Sequence, residues 1–259
     1  MTKTPLAYDL FCGLGGWTEG LLAEGYRVVG YDIEAHAYGD ERYPAELVLQ
    51  DVFTLHGSQL KDATLIVASP PCQEFSFMAM PWKQSKQIAR ALRGKDEFPP
   101  RYKGSRTIPE LRALFDACFR IQREASEAAG HHVPLIVENV RGATPWVGRA
   151  KWNYGSYYLW GDVPALMPAT VKAHKNPGFR FDGSGRSFQS ESVARHVLEG
   201  RKFSLARPGE GSPATRDVVA STPSGSKART AASAQIAKIP LALSRHIAAV
   251  YRPRREEAA

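Results

Sequence analysis

A chain of 259 residues, 43% of them hydrophobic, is long enough to bury one large core. It holds no run of about 18 apolar residues, which excludes a membrane-spanning helix, and the opening MTKTPLAYDLF is too short in apolar residues for a secretion signal, so a cytoplasmic protein is expected. The net charge of +8 is uneven: 4 Lys/Arg against 11 Asp/Glu in residues 1–76, 8 against 2 in residues 77–106, and 16 against 7 in residues 171–259, a pattern that points to a polyanionic partner.

LAYDLFC (6–12) reads as a short apolar strand, followed by the glycine turn GLGG and a helical stretch, WTEGLLAEG. YRVVGYDI (26–33) is a second strand, AELVLQDV (45–52) holds a third and ATLIVASP (63–70) a fourth. Residues 77–106 are basic, aromatic and broken by Pro and Gly, and are expected as a loop. Residues 107–130 predict a long amphipathic helix with Leu111, Leu114, Phe115, Cys118 and Ile121 on one face, and HVPLIVENV (132–140) a fifth strand. Strands separated by helices predict a doubly wound, mostly parallel, Rossmann-like α/β sheet over residues 1–150. Residues 151–233 form a separate region, rich from 174 onward in Gly, Ser, Arg and Pro. Residues 234–259 contain a helix expected to return to the first domain.

Three elements carry chemistry. DLFCGLGG (9–16) places glycines between a strand and a helix, where the backbone can approach a ligand closely. Asp32 ends the next strand, where a carboxylate can hold both hydroxyls of a ribose, and Asp51 ends the third, placed to meet an adenine edge. The spacing is not G-x-G-x-x-G, so S-adenosylmethionine suits better than a dinucleotide; a structural turn with two solvated acids is the plain alternative. Cys72 follows Pro70 and Pro71 at the end of the fourth strand, where α/β sheets bind ligands, and Glu138 and Asn139 end the fifth. A thiolate and a carboxylate beside a cofactor suggest nucleophilic catalysis with acid assistance. The three cysteines are odd in number and form no CxxC pair, so neither a disulfide framework nor a metal site is expected.

Together DLFCGLGG, PPCQEFS and ENV resemble the DNA (cytosine-5)-methyltransferases, over residues 6–142 and loosely near the C-terminus. The resemblance implies that Cys72 attacks C6 of a flipped-out cytosine, that Glu138 holds and protonates N3, and that C5 takes a methyl group from S-adenosylmethionine. It implies cofactor contacts from Phe11, Leu14, Gly15, Gly16, Asp32, Ile33, Asp51, Val52, Pro71 and Leu114, with Asn139 positioning the Pro-Cys loop. Gln73 and Ser76 would contact DNA, and residues 77–106 would be a mobile catalytic loop whose Lys83, Lys86, Arg90 and Arg93 meet phosphates. The family's Gln-x-Arg-x-Arg strand has no counterpart in NYGSYYLWGDVP (153–164), leaving Arg141 or Arg149 as substitutes. Residues 151–233 would recognise the target, starting with Trp152, Tyr154, Tyr157, Tyr158 and Trp160, unless those aromatics serve packing. The implied protein is a monomeric enzyme of restriction-modification or phage type, acting on double-stranded DNA in a bacterial or phage-infected cell. Methylation of tRNA, an inactive DNA-binding module and a dinucleotide oxidoreductase are the rival readings.

Overall fold

The computed structural model describes residues 4–38, 40–72, 75, 82–99, 108–167, 234 and 237–253. The chain divides into two compact units, one of residues 1–37, 41–171 and 239–259, the other of residues 38–40 and 172–238. Almost all of the second unit lies outside the described residues, and the following concerns the first.

Its centre is a sheet of seven described strands: β1 (Leu6–Leu10), β2 (Arg27–Asp32), β3 (Glu46–Leu49), β4 (Leu65–Ala68), β5 (Leu135–Val140), β6 (Trp152–Tyr154) and β7 (Tyr157–Gly161). Their order is β3-β2-β1-β4-β5-β7-β6. The first five are parallel, β7 runs antiparallel to β5, and β6 pairs antiparallel with β7. Helices cover both faces, as the near-continuous apolar strands require. Tyr8, Leu10, Ile66, Ala68, Leu135 and Val137 pack toward α3 (Ile108–Ala129) through Phe115, Cys118 and Ile121. Ala7, Val28, Leu65, Val67 and Ile136 meet Trp17 and Leu21 of α1 (Gly16–Ala23), together with Leu243 and Ile247 of α5 (Leu241–Tyr251). Each large side chain so buried contributes about 1.5–3 kcal/mol. A doubly wound α/β sheet is thus what the strand pattern predicted.

Two parts differ from the sequence reading. Inside the expected loop 77–106 lies a ten-residue helix, α2 (Trp82–Ala91), because KQSKQIARA contains good helix formers and no Gly or Pro, with Ser85, Ile88 and Ala91 turned inward. Residues 152–161, expected to open a recognition region, are the last two strands of the sheet: Leu159 and Trp160 are core residues, and Trp152, Tyr154 and Tyr157 pack against the same core. A short helix, α4 (Thr144–Val147), follows β5. The chain leaves the sheet after Gly161 and comes back at Ile239. Its departing and returning stretches are joined: Tyr251 Oη donates to the Asp162 carbonyl, and His246 Nε2 lies 3.0 Å from the Leu166 carbonyl.

Candidate active site

In the sheet order, β2 and β3 lie on one side of β1 while β4 and β5 lie on the other. The connections after β1 and β4 therefore diverge, and the crevice beyond their carboxyl ends is where such sheets take ligands. The glycine turn follows β1, and the Pro-Cys segment follows β4.

The turn is tightly specified. Phe11, Gly13 and Gly15 all have positive φ, at 58°, 51° and 78°. That conformation is uncommon for a non-glycine residue such as Phe11. A Cβ on Gly15 would also lie 2.6 Å from Pro44 Cδ, so glycine is required there twice over. Leu14, Gly15 and Gly16 are buried and Phe11 is half-buried. One Asp32 oxygen accepts from Gly13 N at 2.9 Å and the other from Ile33 N at 2.8 Å, so this carboxylate staples the end of β2 to the turn. Asp51 accepts from Phe53 N at 2.9 Å. Ile33 and Phe53 are left 73% and 52% exposed, two apolar side chains beside the two acids. Val52 is in the core, so only its backbone could face a ligand; its carbonyl accepts from Arg120 Nη2. Leu114 is half-buried on α3.

On the other side of the crevice, Asn139 Nδ2 donates to the Pro70 carbonyl at 2.9 Å, tying the end of β5 to the Pro-Cys segment. Phe75 N donates to the Cys72 carbonyl, and the buried Phe75 ring packs against Trp146. Gly142 faces the Phe75 carbonyl so closely that a Cβ would collide with it. Pro71 is exposed. Cys72 is half-buried, whereas Cys12 and Cys118 are buried, and burial pushes the thiols of both upward. Burial also raises the Cys72 thiol, and the charge of Glu138 raises it further. Glu138 is 8% exposed and pushed up to about 8 by burial, with an opposing hydrogen bond from Ser69. The structure thus brings Cys72, Glu138 and Asn139 to neighbouring strand ends, with Asp32 and Asp51 across the crevice.

Lys83, Lys86, Arg90 and Arg93 are exposed at spacings of three, four and three residues, which lines them along one side of α2 and its end. Arg90 pairs with Asp96 at 3.3 Å. Arg141 and Arg149 are exposed after β5. Gln73 and Ser76 lie outside the described residues. The sequence reading missed Trp17 and Ser69, joined by a hydrogen bond from Trp17 Nε1 to Ser69 Oγ at 3.0 Å, and Asp9, which is fully buried below the turn. Asp9 accepts from Thr18 Oγ1 at 2.7 Å, and Thr18 also bonds the Tyr43 hydroxyl. Ser69 lies near the end of the predicted fourth strand, but only the fold shows that Trp17 bonds it.

Residues 7–86 match the family model described as C-5 cytosine-specific DNA methylase. The chain resembles the C-5 cytosine-specific DNA methylases. That match contains the glycine turn, Asp32, Asp51 and Cys72, and stops before Glu138. The Type II methylase M.HgiDII of Herpetosiphon aurantiacus is 27% identical over 142 residues, covering 48% of this chain and 39% of that protein. Solved structures that align include the Dnmt2 methyltransferase of S. pombe, 18% identical over 55% of this chain and 36% of that one, with a TM-score of 0.34. The Entamoeba histolytica methyltransferase EhMeth is 16% identical over 56% and 41%, also with a TM-score of 0.34. The chain spans less than half the length of each. Among the described residues no helix is long and apolar enough to cross a membrane, and no cluster of metal-ligating side chains occurs.

Proposed function

We propose that this chain is a DNA (cytosine-5)-methyltransferase that uses S-adenosylmethionine and a covalent Cys72 adduct. The observation that carries the reading is the placing of Cys72 and Glu138 at the ends of the paired strands β4 and β5, where Asn139 Nδ2 ties the two ends together through the Pro70 carbonyl at 2.9 Å. The cofactor fits the other half of the crevice. The glycine turn opens backbone space, Asp32 lies at a strand end suited to ribose hydroxyls, Asp51 suits an adenine amino group, and exposed Ile33 and Phe53 offer apolar faces for a planar base. When bound, the cofactor supplies the methyl group as an electrophile.

The protein's own residues do the rest. Glu138, held up to about 8, is protonated at neutral pH and can donate to N3 of cytosine. Its neutrality also removes the charge that would hold the Cys72 thiol protonated. The Cys72 thiol loses its proton to solvent as its sulfur adds to C6, N3 receives the displaced electron density together with the Glu138 proton, and C5 becomes nucleophilic. After C5 is methylated, loss of the C5 proton to solvent expels Cys72 as the thiolate, and N3 returns its proton to Glu138, which restores the ring. The target base must be out of the duplex for this attack. The exposed cations of α2 suit phosphate contacts, and residues 168–233 are the proposed recognition region.

Incubating the protein with methyl-labelled cofactor and either duplex DNA or tRNA, then mapping the label by bisulfite sequencing, tests the reading. Label at cytosine C5 in DNA is expected. Label confined to tRNA would move the substrate to RNA, and no label on either would remove the activity.

A further inference from the structure

Arg120 and Glu124, one turn apart on α3, grip the segment that follows β3. Arg120 Nη2 donates to the Val52 carbonyl at 3.1 Å, and Arg120 Nη1 donates to the Leu55 carbonyl at 3.0 Å and to Glu124 at 3.0 Å. Glu124 Oε2 in turn accepts from Gly57 N at 2.6 Å. The approach is close: a Cβ on Gly57 would collide with the Ile121 carbonyl. One of these bonds leads straight to the crevice. The Val52 carbonyl and the Phe53 N–H belong to a single peptide unit, which is planar and trans, so its two polar groups point opposite ways. On one side Arg120 holds the carbonyl; on the other the N–H donates to Asp51 Oδ1 at 2.9 Å. We propose that Arg120 is a positioning residue for the adenine side of the cofactor site, acting through the Val52–Phe53 peptide to orient the Asp51 carboxylate. This deepens the reading above and rests on its assignment of Asp51 to an adenine amino group.

The strand itself does not supply this orientation. β3 is four residues long, lies at the edge of the sheet and pairs with β2 alone, so its end has a strand neighbour on one side only. Core packing anchors the segment through the Val52 and Leu55 side chains, but such burial is non-directional. A guanidinium fork has fixed donor directions, and Glu124 locks it with a charge-assisted bond. A cation on a peptide carbonyl also polarises the N–H of the same unit, which strengthens its bond to Asp51. Among the described residues Asp51 Oδ1 is committed in this way while Oδ2 accepts no hydrogen bond. The remaining oxygen is thus aimed before a ligand arrives, and binding needs less ordering.

The test compares the demethylated cofactor, S-adenosylhomocysteine, with S-inosylhomocysteine, which has a carbonyl oxygen where adenine has its amino group. Titration calorimetry on the full chain gives the ratio of the two affinities. The wild type is expected to favour the adenosyl compound by about tenfold or more, since Asp51 loses its donor in the inosyl one. Arg120→Lys keeps a charge beside Glu124 but has no fork to reach two carbonyls. It should weaken adenosyl binding by about tenfold and hardly touch inosyl binding, so that the ratio falls toward one. Asp51→Ala should remove the preference by itself, and adding Arg120→Lys to it should change the ratio no further. A general loosening of the fold would weaken both compounds alike and keep the ratio; that outcome overturns the inference, as does an Arg120→Lys protein with wild-type affinities. If Arg120→Lys does not fold, Glu124→Gln, which keeps an oxygen for Gly57 N but loses the charge that locks the fork, decides by the same ratio. A wild type with no preference for the adenosyl compound overturns the inference together with the adenine assignment. A wild type that shows the preference but methylates neither DNA nor tRNA sinks the functional reading and leaves the inference standing.

Discussion

The two halves of the crevice are built on opposite electrostatic plans. Beyond β1 to β3, carboxylates are engaged by the backbone: Asp32 accepts from Gly13 and Ile33, and Asp51 accepts from Phe53. Beyond β4 and β5, Glu138 is buried, with no cation beside it among the described residues, and the Pro-Cys segment is held by an amide side chain, Asn139. One half spends its charge on shaping a turn. The other withholds charge so that a carboxyl group stays protonated near neutral pH. On the proposed reading, the same residue class at the same kind of strand end serves binding on one side and proton transfer on the other, and burial makes the difference.

Variants should separate the halves. The largest effect is expected at the reacting pair. Cys72→Ala should abolish methyl transfer and the denaturation-resistant adduct with DNA carrying 5-fluorocytosine, whose fluorine cannot leave C5 as a cation, yet should bind the cofactor normally. Glu138→Gln should slow transfer by about 10²–10⁴-fold. Mass spectrometry of the trapped peptide decides the first, and an adduct at Cys12 or Cys118 would break the comparison.

Burial of neutral acids should also be visible in stability. Asp9 and Glu138 are each held at about 8 in the fold, well above their unfolded values. Between about pH 4 and pH 8 the native state therefore binds more protons than the unfolded state, so stability is full below that window and falls as pH rises through it, by several kcal/mol in all. Urea midpoints at pH 5.5 and 8.5 measure this, and Asp9→Asn should flatten the dependence. A midpoint that rises with pH would mean these groups are charged in the fold.

Gly142→Ala drives a methyl group into the Phe75 carbonyl. It should displace the Pro-Cys segment and cost about 10²-fold in transfer while sparing cofactor affinity, since displacements on the order of 1 Å cost that much. Asp32→Ala should do the reverse, weakening cofactor binding by about 1.5–3 kcal/mol in titration calorimetry. If either variant damages both halves equally, the division is wrong. The smallest effect belongs to α2: Lys83→Gln with Lys86→Gln should reduce the salt dependence of DNA binding by a slope of about 1.8, alike for all DNA sequences.

Much of this was legible in the residues. LAYDL, RVVGYD, LIVA and LIVENV are short apolar runs between turn signals, and they became the parallel centre of the sheet. The site's strand-end residues followed from the same runs, because the end of a strand fixes which edge its last residue occupies. WNYGSYYLWG was harder. Its two strands are three and five residues long, and their antiparallel addition to β5 depends on Val137 meeting Trp160 and Glu138 meeting Leu159, a pairing no local period encodes. Helix α2 was masked by the Pro and Gly residues on either side of it. Trp17 read only as the start of a helix and Ser69 as part of the fourth strand, since a hydrogen bond between positions 52 residues apart leaves no mark on either one's neighbours.

The two hydrogen bonds that join Asp162 to Tyr251 and Leu166 to His246 have a consequence for the length of chain between them. They tie the point where the chain leaves the sheet to the helix on which it returns, so the two ends of the intervening segment are fixed. Closing a flexible stretch grows costlier only logarithmically, by about 0.6 kcal/mol for each doubling of its length. Segments of very different length between these two ties would therefore leave the folding energetics of the sheet, the glycine turn and the Cys72–Glu138 pair almost unchanged.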